Sequence, residues 1–449
     1  MKKDNRLESG NIYSSILILA IPAMITVILA QSSFLIDAIF VALYNTANLP
    51  VMALSQPVTM FGAIIPFAIV AGVSPLISRK LGEGKLKETN EYFMSALVLT
   101  IIITIVYVSV MFVFNNFIFS NVLSIPTQIL SESKHYLYPI IISQLFYTNV
   151  IIMEQASIAQ GDTFKIMVVN IISVVINIVF NFIFLTQTEL GLFGIGLSTL
   201  ISALFKFGVY TYVYSKGKQA IKFTKRTRFD YEFIHSLLSS SIAALGMSLL
   251  TLVAMLINNK FITIAEASTI LLTTKTMISI LFSFCTSFMI GIMQTTQSFI
   301  AYNFGAKEYS RMKRSAATGL GYSLIFATVL SIILIINKHA IADLFTLDNN
   351  SNSFNIAMYA TSLSLYAMPI TFLVTSFARS TRNNKVLFYH QWITNGLVII
   401  LVNIFFPFIF SEDVLPALRS VSQILMLLFV IPSYLILFRN INILQRVDN

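Results

Sequence analysis

Only two acids, Asp37 and Glu154, fall inside long apolar stretches of this 449-residue chain. A carboxylate in such a stretch is expensive unless it is paired or functional. Asp37 lies about 23 residues along its stretch, so at 1.5 Å per residue it falls in the outer half of a helix entering from the cytoplasm. Asn177 and Asn181 are four apart and share one helix face. They lie past the middle of their own stretch, at a depth matching Asp37. Ser198 and Thr199 can add hydroxyl oxygens. An oxygen set of this kind suits a proton or a hard cation, with Asp37 as a metal ligand only if the ion is sodium. The competing reading is that Asp37 caps or pairs locally near a helix end.

Glu154 sits about five residues from the inner end of its stretch, where a helix needs about 20 residues to cross. It either faces a cavity and attracts cationic molecules, or reaches headgroups and neighbouring Lys165. Lys206, Lys275 and Arg419 are the basic residues within apolar stretches. They serve as counter-ions or extend to the interface, and Lys206 is placed near the cytoplasmic surface. Met24, Met60, Met289, Met293, Phe284 and Phe288 can line a cavity for flat apolar molecules, since flexible Met suits promiscuous binding. With 38 Phe in the chain, packing and lipid contact compete with that role at each. Pro22 removes a backbone hydrogen bond inside the first helix, either as a bending point or as a passive kink. Enzyme chemistry finds no support: His135, His235, His339 and His390 show no metal spacing, there is no serine elbow or phosphate loop, and Cys285 is alone.

The elements that must position these residues are membrane helices. The chain is 56% hydrophobic and 11% charged, where soluble domains run near a quarter charged. The apolar runs are continuous rather than alternating, which excludes an outer-membrane barrel. Twelve runs approach the length a crossing needs: Ser14–Leu43, Pro50–Ile77, Tyr92–Phe119, Tyr136–Ala159, Phe164–Leu185, Leu192–Tyr214, Ser239–Asn258, Ser268–Asn303, Ala316–Ile336, Ile356–Phe377, Val386–Phe410 and Val414–Phe438. The polar start, Met1–Gly10, reads as no cleaved signal peptide. Of 29 Lys and Arg, 23 lie in one set of alternate loops with both termini, and only Lys134, Lys260 and Lys338 lie opposite. Both termini are therefore expected in the cytoplasm, with the protein in the cell membrane. The net charge of +10 belongs to this asymmetry and not to nucleic-acid binding. The loop Ser215–His235, with Lys216, Lys218, Lys222, Lys225, Arg226 and Arg228, reads as a cytoplasmic linker, with a lipid-headgroup or regulatory site as the alternative.

The halves repeat. Gly82–Glu83–Gly84–Lys85 ahead of the third run matches Gly305–Ala306–Lys307 ahead of the ninth, and Tyr136 matches Tyr359 at the same offset. Asn177–Phe184 and Asn403–Phe410 are identical at six of eight positions. Six crossings per half give both halves one orientation, related by an axis along the membrane normal. The expectation is an all-helical membrane protein of two six-helix lobes, 1–214 and 236–449, joined by the linker 215–235. Aligning Ile21–Pro22–Ala23 with Ile242–Ala243–Ala244 sets Asn258 opposite Asp37, so the acid is particular to the first lobe.

These segments resemble the multidrug and toxic compound extrusion (MATE) family over almost the whole chain. Ile21–Pro22–Ala23 with Asp37–Val41 is similar to its opening helix, and Gly72–Gly82 to its second. Gly291–Ala306, including Gln297, resembles its eighth helix most specifically. Gln160–Gly161–Asp162 with Asn177 resembles its fifth, and Glu154–Gln155 is most like the staphylococcal-type branch. Asn181 stands where the family usually has Asp, and Ser298 where it has Pro. The resemblance implies export of organic cations and drugs against inward protons or sodium ions, with no cofactor and a monomer as the working unit. It also makes Lys275, at a position where members often carry a basic residue, a substrate-site candidate beside Glu154, Met289, Met293, Phe288 and Gln297. A flippase for lipid-linked saccharides, a related fold that favours a cationic cavity, is the alternative.

Overall fold

A computed structural model describes residues 7–8, 10–44, 51, 68–122, 129–217, 219–266, 268–344, 347–348 and 350–448. The described chain is almost wholly helical, and eleven of its helices are long and apolar enough to cross a membrane. They are α1 (Ile12–Tyr44), α3 (Leu86–Val113), α4 (Leu130–Ala159), α5 (Thr163–Thr186), α6 (Gly191–Ser215), α7 (Tyr231–Ile264), α8 (Ser268–Gly305), α9 (Tyr309–Ile336), α10 (Asn352–Ser380), α11 (Asn384–Ile409) and α12 (Leu418–Asp448, after a 3-10 turn over Glu412–Ala417). Residues 68–82 form α2; the rest of the expected span Pro50–Ile77, with Met60, lies outside the described residues apart from Val51.

With no water in the hydrocarbon layer, every backbone group must be paired within the segment, and a helix does this alone. What distinguishes these helices from soluble ones is the direction of their amphipathicity. On α5 the buried side chains are Thr163, Ile166, Asn170, Ser173, Asn177, Asn181 and Leu185. They recur every three or four residues, so they form one face. Phe164, Ile171, Val175, Ile178 and Phe182 on the opposite face are exposed. Polar residues point inward and apolar ones toward lipid. Buried hydroxyls close on their own helix, as where Thr100 and Thr104 each donate to the carbonyl four residues back at 2.7 Å.

The chain forms two compact units, Ile28–Leu237 and Met1–Val27 with Leu238–Asn449. In the first, α4 packs on α6 and α3, and α5 packs on α6. The α4–α6 crossing is tight because a Cβ at Gly196 would lie 2.5 Å from the Tyr136 carbonyl oxygen; small residues allow such approach. The apolar core here includes Val41, Tyr136, Leu137, Ile141 and Ile195. In the second unit α10 packs on α12, α8 and α9, so the tenth and twelfth helices meet as the fourth and sixth do. There, a Cβ at Gly291 would lie 2.5 Å from the backbone N and Cα of Met24 on α1. α11 is π-helical over Tyr389–Leu397, and Trp392 from this stretch fills the space beside Gly246.

The linker packs on the first unit instead of looping free. Ile221 is fully buried, the Lys222 N–H donates to Asn90, and the Tyr92 hydroxyl donates to Asp230 at 2.8 Å. Arg228 pairs with Asp230 and lies 3.6 Å from Glu88. Buried Arg79 and Lys80 on α2 meet Glu232 on α7 at 3.6 and 3.0 Å, and Lys80 also meets Glu83 and Glu88. Burial works to raise the Asp230 carboxyl, but the Phe233 N–H, Arg228 and Tyr92 outweigh it and hold it below the ordinary range. Glu83, between α2 and α3, is likewise held low: burial opposes this, and Lys85 and Lys80 prevail.

Candidate functional site

Asp37 is buried in the first unit at 6% exposure, on the second half of α1. The inward faces of α5 and α6 meet it there. The Asn181 side-chain NH2 donates to Asp37 Oδ1 at 2.8 Å, and the Thr199 hydroxyl donates to Oδ2 at 3.4 Å. Asn181 also donates to Asn177 Oδ1 at 3.3 Å, Asn177 donates to Ser198 Oγ at 3.2 Å, and Ser198 donates to Asn181 Oδ1. The five residues singled out from the sequence thus form one network. Its only ionisable member is Asp37, and the groups acting on the carboxylate are amides and a hydroxyl. Among the described residues no group of three or more His, Cys, Asp or Glu is placed to hold a metal. The oxygens at Asp37 therefore fit a proton or a singly charged cation better than a divalent one.

The Thr199 hydroxyl has two settings. It also lies 3.3 Å from the Ile195 carbonyl. It can donate to an ionised Asp37, or turn to Ile195 and accept from a protonated one. The site therefore holds either state of the acid without an orphaned polar atom, which would cost about 1–3 kcal/mol.

Asp37 lines one end of a cavity of about 240 Å3. Tyr136, Gln144 and Tyr147 of α4, Asn170, Ser173 and Asn177 of α5, and Ser202 and Lys206 of α6 also line it. Lys206 is the main correction to the sequence reading. It does not extend to a membrane surface but lines this cavity, donating to Asn170 Oδ1 at 3.2 Å, with its ammonium 5.2 Å from the Tyr147 ring centre. Internal partners remove the need to reach headgroups. Asn170 in turn donates to Glu154 Oε1 at 2.8 Å, and Tyr210 donates to the same oxygen at 3.4 Å. Glu154 is thereby tied inward, while Lys165 pairs with Asp162 at 3.1 Å. Asn170, Ser173, Ser202 and Tyr147 were missed as site residues. The polar stripe Asn170–Ser173–Asn177–Asn181, at helical spacing on an otherwise apolar helix, was the available signal.

The remaining candidates lie elsewhere. Pro22 sits within the unbroken α1, its carbonyl accepting from the Thr26 hydroxyl at 3.0 Å. Met289 and Met293 are closed into apolar cores of the second unit, and Met24 packs against Ile292. Phe288 stacks on Phe326 and meets Phe284 edge-on. The Gln297 carbonyl accepts from Ser380. Asn258, the repeat partner of Asp37, donates to the Leu415 carbonyl at 3.0 Å and so anchors a turn. Lys275 donates to Asn259, and Arg419 lies over Phe282.

Comparison with known proteins accords with this architecture. The MatE family model matches residues 22–183 and 243–409, one match in each half. A protein of Shewanella oneidensis named FAD transporter is 22% identical over 422 residues, covering 84% of this chain and 88% of that one. Among solved structures, a MATE protein in the bent conformation aligns with a TM-score of 0.87 at 15% identity, over 100% of this chain and 99% of that one. A MOP superfamily transporter from Pyrococcus furiosus, whose reversed binding-pocket polarity is said to suggest a different function, aligns at 0.82 and 16% identity, over 98% and 99%. These two structures share the fold, and the family model spans both halves: this chain is a multi-pass membrane transporter of the MatE family and not an enzyme.

Proposed function

We propose that the protein is a secondary exporter of small organic molecules, driven by protons or sodium ions that enter through the site at Asp37. The observation carrying this reading is a buried carboxylate whose partners among the described residues are amides and a hydroxyl, lining a cavity of about 240 Å3. Among the described residues no cation pairs with Asp37, and occupancy of the ionised site by a cation removes the cost of leaving it uncompensated. An ion can shift a conformational equilibrium only by its different affinity for the two states. A site that is costly when empty provides such a difference, and alternating access of the two lobes provides the states. One chain holds every residue involved, so a monomer suffices. Both termini and the basic linker are assigned to the cytoplasm of the cell membrane; labelling of Lys222→Cys by an impermeant reagent outside intact cells would overturn that.

Organic cations and drugs are the cargo implied by the family resemblance. The relative named FAD transporter supports a second reading, an anionic cargo. Reconstitution in liposomes tests the proposal: an imposed proton or sodium gradient is expected to drive uphill movement of ethidium or of a flavin nucleotide. Movement of both at a rate indifferent to either gradient would refute ion coupling. Translocation of a lipid-linked saccharide alone would favour the flippase reading.

A further inference from the structure

The two units carry opposite charge within their spans. In the first, Asp37 and Glu154 outweigh Lys206. In the second, Lys275 is the sole charged residue of Ile270–Gly305, and Arg419 the sole one between Val414 and Ile436. Intramembrane cations normally pair with acids or line water-filled space. Among the described residues neither has a carboxylate within ion-pair distance.

The two are also held near each other. Lys275 and Phe282 are seven residues apart on α8, so they share a face. The Arg419 guanidinium lies 4.7 Å from the centre of the fully buried Phe282 ring, about two turns along that face from Lys275. Lys275 donates to the Asn259 side-chain oxygen, which leaves the Asn259 NH2 as a further donor. Arg419 keeps an exposed side chain. Stacking on Phe282 orients the planar guanidinium, and its N–H groups match a carboxylate or phosphate bidentately. Two cations along one face, with no acid beside either among the described residues, repel each other, and an anion between them removes that repulsion.

We propose that Lys275 and Arg419 bind the anionic group, a phosphate or carboxylate, of the transported organic molecule. This rests on the reading of the chain as an ion-coupled exporter and assigns the cargo's charge: cation coupling in the first unit, organic anion in the second. An anionic lipid headgroup offers the same chemistry, so the test separates the two sources.

The experiment measures binding without any gradient. Purified full-length protein in phosphatidylcholine nanodiscs is titrated with flavin adenine dinucleotide, with ethidium, and with nanodiscs doped with phosphatidylglycerol. The dinucleotide is expected to bind. Lys275→Gln and Arg419→Gln should each weaken it by about tenfold or more, the scale of a lost charged hydrogen bond. Arg419→Lys, which keeps the charge and covers the case in which Arg419→Gln fails to fold, should retain part of the affinity. Because no gradient is imposed, a failure of ion coupling at Asp37 is read in the transport assay and not here. Dinucleotide binding unchanged in both glutamine variants overturns the proposal. So does binding of ethidium without the dinucleotide, or a site that takes phosphatidylglycerol and no nucleotide.

Discussion

Asp37→Asn separates coupling from folding. The carboxylate accepts one short hydrogen bond from Asn181 and one long one from Thr199, and among the described residues no cation is within ion-pair distance of it. An amide in its place keeps the acceptor toward Asn181. Its new NH2 can donate to Thr199, whose hydroxyl turns to the Ile195 carbonyl already 3.3 Å away. No buried polar atom is orphaned, so the thermal stability of the purified protein should change by no more than about 1 kcal/mol. The coupling loss should be complete. A one-unit pH gradient carries about 1.4 kcal/mol per proton, enough at zero membrane potential for about tenfold accumulation at one proton per molecule exported. The variant should bring the liposome interior only to the outside concentration, at any imposed gradient. If it still accumulates cargo tenfold at the ordinary rate, Asp37 is not the coupling group, and Glu154, the other intramembrane acid of this unit, takes its place.

Three other outcomes follow from the geometry. Lys206 lines the same cavity as Asp37, and its backbone is two turns from Thr199 on α6; for a charge separation of about that rise, ~10 Å, at an effective dielectric constant of about 20, the interaction is worth roughly 1.5 kcal/mol. Lys206→Met should therefore raise the apparent affinity for the coupling cation about tenfold in ion-flux titrations, and an unchanged affinity would show that the two charges do not communicate. Gly291→Ala places a methyl 2.5 Å from the Met24 backbone, which cannot rotate away; a cost of about 1–3 kcal/mol should appear as a lower melting temperature, whereas Gly208→Ala, which meets nothing within 4 Å, should be neutral. Asp230 and Glu83 are held below their unfolded values, so their contribution is present above the unfolded carboxyl range, near pH 4, and is lost as pH falls through the folded values; Asp230→Asn should lower stability near neutrality and flatten its fall in that acid region, as read by melting temperature against pH.

The crossings and the Asp37 network were legible because lipid imposes a strong pattern. Continuous apolar runs admit one structure, and a polar residue on such a run must be met by another at the same depth. Asn177, Asn181, Ser198 and Thr199 meet Asp37 for that reason. The partner of Glu154 was open to the same logic but read too locally. α4 and α5 form a hairpin about Gln160–Asp162, so Glu154, two turns before the bend, reaches Asn170, two turns after it, and not Lys165 beside the bend. Lys206 was misplaced because flexible lysines near helix ends usually extend to water; the Asn170 oxygen and the Tyr147 ring keep it inside, and both come from other helices. α7 was read from Ser239 but begins at Tyr231, since the end of a helix outside the hydrocarbon carries no apolar signature. The π-helical stretch of α11, Tyr389–Leu397, has no mark in composition.

The ion-pair cluster at Lys80 bears on how the two halves came to differ. Arg79 and Lys80 are nearly fully buried, and the carboxylate that meets both belongs to Glu232, beyond the linker. The first six-helix repeat, cut at residue 214, would leave these cations without it. The register that pairs Gly82 with Gly305 sets Tyr302 and Asn303 opposite Arg79 and Lys80, and the register of the opening helices sets Asn11 opposite Glu232. Neutral residues stand at all three counterpart positions. The charges are present together in one half and absent together in the other, as expected of a set in which Glu232 adds to Glu83 and Glu88 around two buried cations. The seam between the repeats is therefore cross-stitched: a module boundary drawn at the basic loop divides the sequence but not the electrostatics.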